Sequence, residues 1–288
     1  MTSVDSTTVA YAEIASRICV TPPYYALGEL VSPAPGLAAA TVPVQTPTGR
    51  QATLINIAEA GRHLAILGLS AAAAINPGTG RHYYLAHRGV GRMYPPTGTL
   101  TTLHGSATAR MTGRNRAVAE TELRDADGNL VARLDLEYLV MSAPVFRRLM
   151  GPATAPDATE PASPYSAPAP LVDVAADTRS ATAKLAVEAT MCRGHFDGFP
   201  ALPVSVAGYA TFALFDHVLE AAAGPGARWQ AGLFRLRADH LAAAGQTCTV
   251  DVEPSAPIEP EAHESAFTGT LRSGDHDIFS IQVDYTTV

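Results

Sequence analysis

The chain has 288 residues, 47% hydrophobic and only 16% charged, a balance that excludes a disordered chain and supplies a substantial core. Its formal net charge of −7 argues against nucleic acid or an anionic membrane surface as partner. No apolar run reaches the roughly 18 residues of a membrane span, and MTSVDSTTVAYAEIASRICV lacks the basic start and apolar centre of a signal peptide. Cys19, Cys192 and Cys248 are odd in number and far apart. They fit neither a disulfide framework nor a zinc motif, so a reducing, cytoplasmic setting without metal or other cofactor is expected.

In chain order, the first strong element is INIAEAGRHLAILGLSAAAAI (55–75), long, apolar and free of breakers, which predicts a buried helix. Three strand-like stretches follow: HYYLAHRGVGRMY, TLTTLHGSATARM and RAVAETELRDADGNLVARLDLEYLVM. The last is folded on itself at the hairpin signal Asp127-Gly128-Asn129. Residues 151–170, GPATAPDATEPASPYSAPAP, are dominated by proline and alanine without periodicity and read as a linker. Beyond it comes a second apolar helix, VSVAGYATFALFDHVLEAAAG (204–224). Its successors are GLFRLRADHL, QTCTVDVEPSAP and AFTGTLRSGDHDIFSIQVDYTTV, again with strand character.

The second half thus repeats the order of the first. Leu123-Arg124 answers Leu271-Arg272, Tyr138 answers Tyr285, and Gly98 answers Gly245, at a nearly constant offset. Each half reads as strand, loop, long helix, then three or four antiparallel strands. A helix apolar on nearly all sides must be covered on most of them, and a curved antiparallel sheet wrapped around it does so. The expected architecture is α+β, a double hotdog: one repeat at 1–150, a linker at 151–170 and a second repeat at 171–288.

Between linker and second helix lies Gly194-His195-Phe196-Asp197-Gly198-Phe199-Pro200-Ala201-Leu202-Pro203. It resembles the G-H-F-x-G-x-P-x-x-P signature of 3-hydroxyacyl-carrier-protein dehydratases, hotdog enzymes whose signature histidine is the catalytic base. The resemblance covers about ten residues in detail and most of the chain in architecture. Those enzymes carry a carboxylate fourteen residues after the histidine, in a pattern like E-A-x-x-Q; here that place holds Tyr209. The first half has the complementary pattern. Glu59-Ala60-Gly61-Arg62-His63 is similar to E-A-x-x-Q, while the place matching His195 holds Gln45. The resemblance therefore implies one composite site, with His195 as base and Glu59 as acid, and a degenerate one marked by Gln45 and Tyr209. A weaker, architectural resemblance links EAGRHLAIL and YLVMSAPVFRRLMG to the A-factor (γ-butyrolactone) synthases, and hotdog thioesterases are a third neighbour. Fold alone does not choose among the three.

The implied reaction is dehydration of a 3-hydroxyacyl thioester, delivered on acyl carrier protein or coenzyme A. A neutral imidazole can take the Cα proton; the acid must stay protonated, which burial of Glu59 would favour and a helix N-terminus oppose. Gly198 would let backbone approach the thioester carbonyl, with His63, Phe199 and Tyr209 beside the substrate. Each has another reading. Asn56-x-x-Glu59 also fits a capping box, and His63 fits a satisfied core histidine. Tyr209 fits packing, and Cys192 an inert buried thiol. Arg88 and Arg92 are placed either to meet a phosphopantetheine arm or simply to solvate the surface. Acyl transfer, thioester hydrolysis and non-catalytic acyl binding are the alternatives to dehydration. One chain already supplies the pseudo-dimer, so both a monomer and a homodimer are compatible with it.

Overall fold

In the computed structural model the described residues are 11–97, 102–150, 163–196, 198–259 and 264–288. The first half builds α1 (Tyr11–Arg17), β1 (Leu30–Val31), β2 (Leu37–Val42), α2 (Ile57–Ile75), β3 (His82–Met93), β4 (Leu103–Gly113), β5 (Arg116–Arg124), β6 (Leu130–Ser142) and α3 (Ala143–Met150). The second builds β7 (Leu171–Ala176), β8 (Ala181–Ala186), α4 (Val204–Ala223), β9 (Trp229–Ala238), β10 (Thr247–Pro254), β11 (Glu264–Ser273) and β12 (His276–Thr287). The short helices α1 and α3 have no counterpart in the sequence expectation.

These strands form one sheet in the order β1-β2-β4-β5-β6-β3-β9-β12-β11-β10-β8-β7. Read outward from the β3–β9 seam, both sides run through matching elements, so the internal repeat becomes a pseudo-twofold. Leu123 and Leu271 occupy β5 and β11, and Tyr138 and Tyr285 occupy β6 and β12. The β5–β6 turn forms where Asp127-Gly128-Asn129 predicted it: the Asp125 carboxylate accepts from the backbone N–H groups of Asp127 and Asn129.

The two long helices lie inside the curved sheet and against each other. Helix α2 is buried almost all round, as its composition requires. Asn56 caps its start by accepting from the Ala58 N–H at 2.9 Å, and Arg17 donates to the carbonyls of Ala73 and Asn76 at its end. Helix α4 follows Pro203 and stops at Gly224, which has φ 92°. Around α4 the core is aromatic: Phe215 stacks on Phe267 at 3.9 Å, with Trp229 and Tyr285 edge-on. The Asp216 carboxylate accepts from Trp229 Nε1 and from the Arg50 N–H, tying a first-half loop to α4.

Residues 151–162 of the expected linker lie outside the described residues. Its last part is docked: Tyr165 is buried, and its hydroxyl donates to the carbonyls of Met191 and Arg193. Cys19, Cys192 and Cys248 are buried and form no disulfide. No helix among the described residues is long and apolar enough to cross a membrane.

Candidate active site

Asp197 of the Gly194–Pro203 segment lies outside the described residues; the rest of it connects a short 3-10 helix (Ala189–Cys192) to α4. Gly194 has φ 75°, and a Cβ there would collide with the Thr21 carbonyl oxygen. The Thr21 N–H donates back to the Gly194 carbonyl at 2.8 Å, so this glycine is fixed by conformation and by close approach together. Gly194→Ala is expected to cost about 2 kcal/mol or more. Chemical denaturation checks this; a midpoint equal to wild type would contradict it.

The turn presents His195 in a defined state. Its Nδ1 lies 2.9 Å from the Ala201 carbonyl oxygen. A carbonyl only accepts, so Nδ1 carries the hydrogen and Nε2 keeps the lone pair. Burial pushes the His195 pKa down to about 4, and the Ala201 bond opposes this only in part. At neutral pH the group is a neutral base. Its ring stacks on Phe196 at 3.9 Å and meets Tyr24 at 4.9 Å.

His195 forms part of the wall of a cavity of about 210 Å³ between α2, α4 and the central strands. Tyr24, Arg62, Ser205 and His195 give it one polar region; Ile66, Leu136, Phe212, Phe234, Phe279 and Ile281 belong to its apolar wall. This is a shape and lining suited to a hydrocarbon chain with a reactive polar end. Tyr24 OH is 3.4 Å from the Ser205 hydroxyl, and burial raises its pKa, so the phenol stays protonated.

Glu59 occupies a different place. Its carboxylate accepts from the Gln45 N–H at 2.7 Å and the Thr46 N–H at 3.0 Å. Arg62 Nη2 lies 3.5 Å away and His63 Nε2 3.4 Å. With both oxygens committed to loop 45–46, Glu59 lines a second cavity of about 50 Å³, with Thr46, Tyr165 and Tyr209. It does not line the cavity of His195; Ala58, Arg62 and Ser205 border both. The capping-box reading is half realised, since Asn56 caps the helix while Glu59 reaches another loop.

Arg62 stands at the junction. It is 3% exposed and donates to the Gln45 side chain, with its guanidinium 5.0 Å over the Tyr165 ring and 6.0 Å from that of Tyr24. Its Nε has no hydrogen-bond partner among the described residues. Gln45, assigned from the sequence to a degenerate site, instead serves Glu59 through its backbone and Arg62 through its side chain.

Of the remaining expected site residues, Tyr209 lines the small cavity beside Glu59. His63 is fully buried, lines neither cavity, and burial lowers its pKa. Phe199 packs with Phe146 and Tyr83 in a separate cluster, and Gly198, at φ 74°, lies outside both cavities. The Cys192 thiol is pushed up to about 12 by burial. Arg62 carries a signal in the sequence: it is the only Arg or Lys in a mostly apolar helix, three residues after Glu59. Tyr24, Tyr165 and Ser205 carried no such signal. Among the described residues no group of three or more His, Cys, Asp or Glu side chains could hold a metal ion.

No protein-family profile matches the chain. No curated protein matches it in sequence either. Solved structures do match over nearly the whole length. An acyl-ACP thioesterase from Bacteroides thetaiotaomicron is 12% identical, TM-score 0.55, over 87% of this chain and 98% of that one. A tesB protein from Mycobacterium avium subsp. paratuberculosis is 13% identical, TM-score 0.54, over 90% and 96%. A protein of unknown function with a hot dog fold from Alicyclobacillus acidocaldarius is 13% identical, TM-score 0.54, over 93% and 99%. At these identities the shared property is the fold, and the chain is an α+β double hotdog.

Proposed function

We propose that this protein cleaves an acyl thioester, with His195 activating an oxygen nucleophile, either water or an alcohol, against the thioester carbonyl. The observation that carries the proposal is the Nδ1–Ala201 bond, which leaves Nε2 as a neutral base on an apolar cavity. Nε2 takes the proton of the attacking hydroxyl as the new C–O bond forms. The carbonyl oxygen then carries the charge. Arg62 and the first-turn N–H groups of α4 at Val204 and Ser205, whose residues line the cavity, are the donors in reach. Collapse breaks the C–S bond, and the imidazolium returns its proton to the leaving thiolate. The apolar wall holds the acyl chain. The names of the thioesterase neighbours are consistent with this chemistry.

Dehydration is the second reading, favoured by the Gly194–Pro203 segment. It needs a proton donor other than Glu59, whose oxygens are both turned to loop 45–46. The protonated phenol of Tyr24, near His195, is the group in place.

Mass spectrometry on two substrates separates the readings. A saturated acyl thioester cannot lose water, so free thiol released from it is the expected result and establishes cleavage. Loss of water from a 3-hydroxyacyl thioester, with the C–S bond intact, would select dehydration. Binding of both without turnover would overturn both readings.

A further inference from the structure

The run YLVMSAPVFRRLMG closes the first repeat, and its second part forms α3. Phe146 is the one buried residue of this helix, while Val145, Arg147, Arg148 and Leu149 are exposed. A helix this short is not stable alone, so its place in the fold is set by where that one ring docks. The ring lies flat on Tyr83 of β3, centroids 3.7 Å apart, and meets Phe196 at 5.3 Å and Phe199 at 5.2 Å, both edge-on. Tyr83 meets the same two rings edge-on, at 5.4 and 6.1 Å. These are the arrangements that aromatic quadrupoles favour. With Cys19 and Ala201 the four rings form a cluster separate from the main core.

Phe196 is the point where this cluster reaches the large cavity. It lines the cavity beside His195, and the imidazole stacks on it at 3.9 Å. Ala201, whose carbonyl accepts from His195 Nδ1, belongs to the same cluster. The Ala201 bond holds one atom of the imidazole and leaves the ring free to tilt about it. The face of Phe196 sets the plane, and the two contacts together decide where the Nε2 lone pair points. Tyr83 and Phe146 come from the first repeat and the His195 turn from the second. The aim of the base therefore depends on rings supplied across the pseudo-twofold.

We infer that Phe146 is a positioning residue: backed by Tyr83, it braces Phe196, and through Phe196 it fixes the plane of the His195 imidazole. The inference rests on the reading of His195 as the base. It gives α3 a role in the reaction although no residue of that helix lines the cavity.

Nuclear magnetic resonance of the full chain with isotope-labelled histidine tests this without turnover, the His195 signals being those absent from His195→Ala. Phe146→Leu keeps most of the buried apolar volume and removes the ring. It leaves Tyr24, against the imidazole at 4.9 Å, and Arg62, on the same cavity, in place. Wild type is expected to show the Nδ1–H tautomer alone. In Phe146→Leu the second tautomer should appear, and the His195 titration should move up toward the ordinary value of about 6.5 as the loosened ring is hydrated. Phe267→Leu removes a comparable stacked ring from the α4 core; it should lower the melting temperature and leave His195 unchanged. On an acyl thioester, Phe146→Leu should lower kcat about 10- to 100-fold, the cost of a misaimed group, with KM within about twofold. Wild-type tautomer and titration in Phe146→Leu would overturn the inference, as would a raised KM with unchanged kcat. A shifted His195 titration in a protein that releases thiol from no thioester would leave the bracing role standing and reject the proposed reaction.

Discussion

Replacing His195 with alanine is expected to lower kcat/KM on an acyl thioester by roughly 100- to 10,000-fold, the range for loss of a general base. The fold around it should persist, because the ring packs at the edge of a cavity and its one hydrogen bond goes to a loop carbonyl. The pH dependence gives an independent reading. Activity requires neutral imidazole, and the pKa is pushed down to about 4. The acid limb should therefore lie near pH 4, not near the ordinary histidine value of about 6.5. A limb near 6.5 would mean that the catalytic base is another, more solvated group.

The same shift enters stability. The unfolded chain takes up a proton near pH 6.5, while the folded chain resists until about pH 4. This contribution is fully present above pH 6.5 and is lost as the pH falls through that window. For this group it amounts to about 3 kcal/mol. Denaturant titrations at pH 7 and pH 4.5 should show the loss in wild type and a smaller one in His195→Ala.

Replacing Arg62 with methionine is expected to destabilise the protein by about 3 to 5 kcal/mol, the cost of stranding a buried partner charge. At this chain length that lowers Tm by on the order of 10 °C. The reason is the position of the guanidinium: it lies between Glu59, the Gln45 side chain and the Tyr165 ring, all shielded from water. Arg62→Met combined with Glu59→Gln should recover much of the loss, since neither charge is then left alone. Arg62→Lys should recover less, because an ammonium lacks the planar fork that lies over the Tyr165 ring while its edge donates sideways. A methionine variant as stable as wild type would show that Arg62 does not balance Glu59. If Arg62 also faces the oxyanion, Arg62→Met/Glu59→Gln regains stability without regaining kcat; thermal melts and kinetics on one preparation check both.

Sequence sufficed for what neighbouring residues decide among themselves. The apolar runs around 57–75 and 204–223 had to be buried helices, and alternating strands of matching order had to cover them. The Asp127-Gly128-Asn129 turn and the position of His195 before the second helix were equally local, since a glycine at positive φ and a proline before a helix act over a few residues. What sequence did not settle was which partner each site residue would face. Glu59, Arg62 and His63 share one helical face at i, i+3 and i+4, so spacing alone allows any of them to point at His195. The choice fell to loop 45–46, whose two N–H groups draw the Glu59 carboxylate away and leave Arg62 on the large cavity. Phe199 was likewise taken from the site by Tyr83 and Phe146, aromatic partners more than fifty residues distant. Tyr24 and Tyr165 were brought to it from an N-terminal segment and from the end of a proline-rich stretch. Hydrophobic periodicity specifies a buried face, but the hydrogen bonds and ring contacts that orient a polar side chain on that face come from distant chain segments, and only the folded structure brings them together.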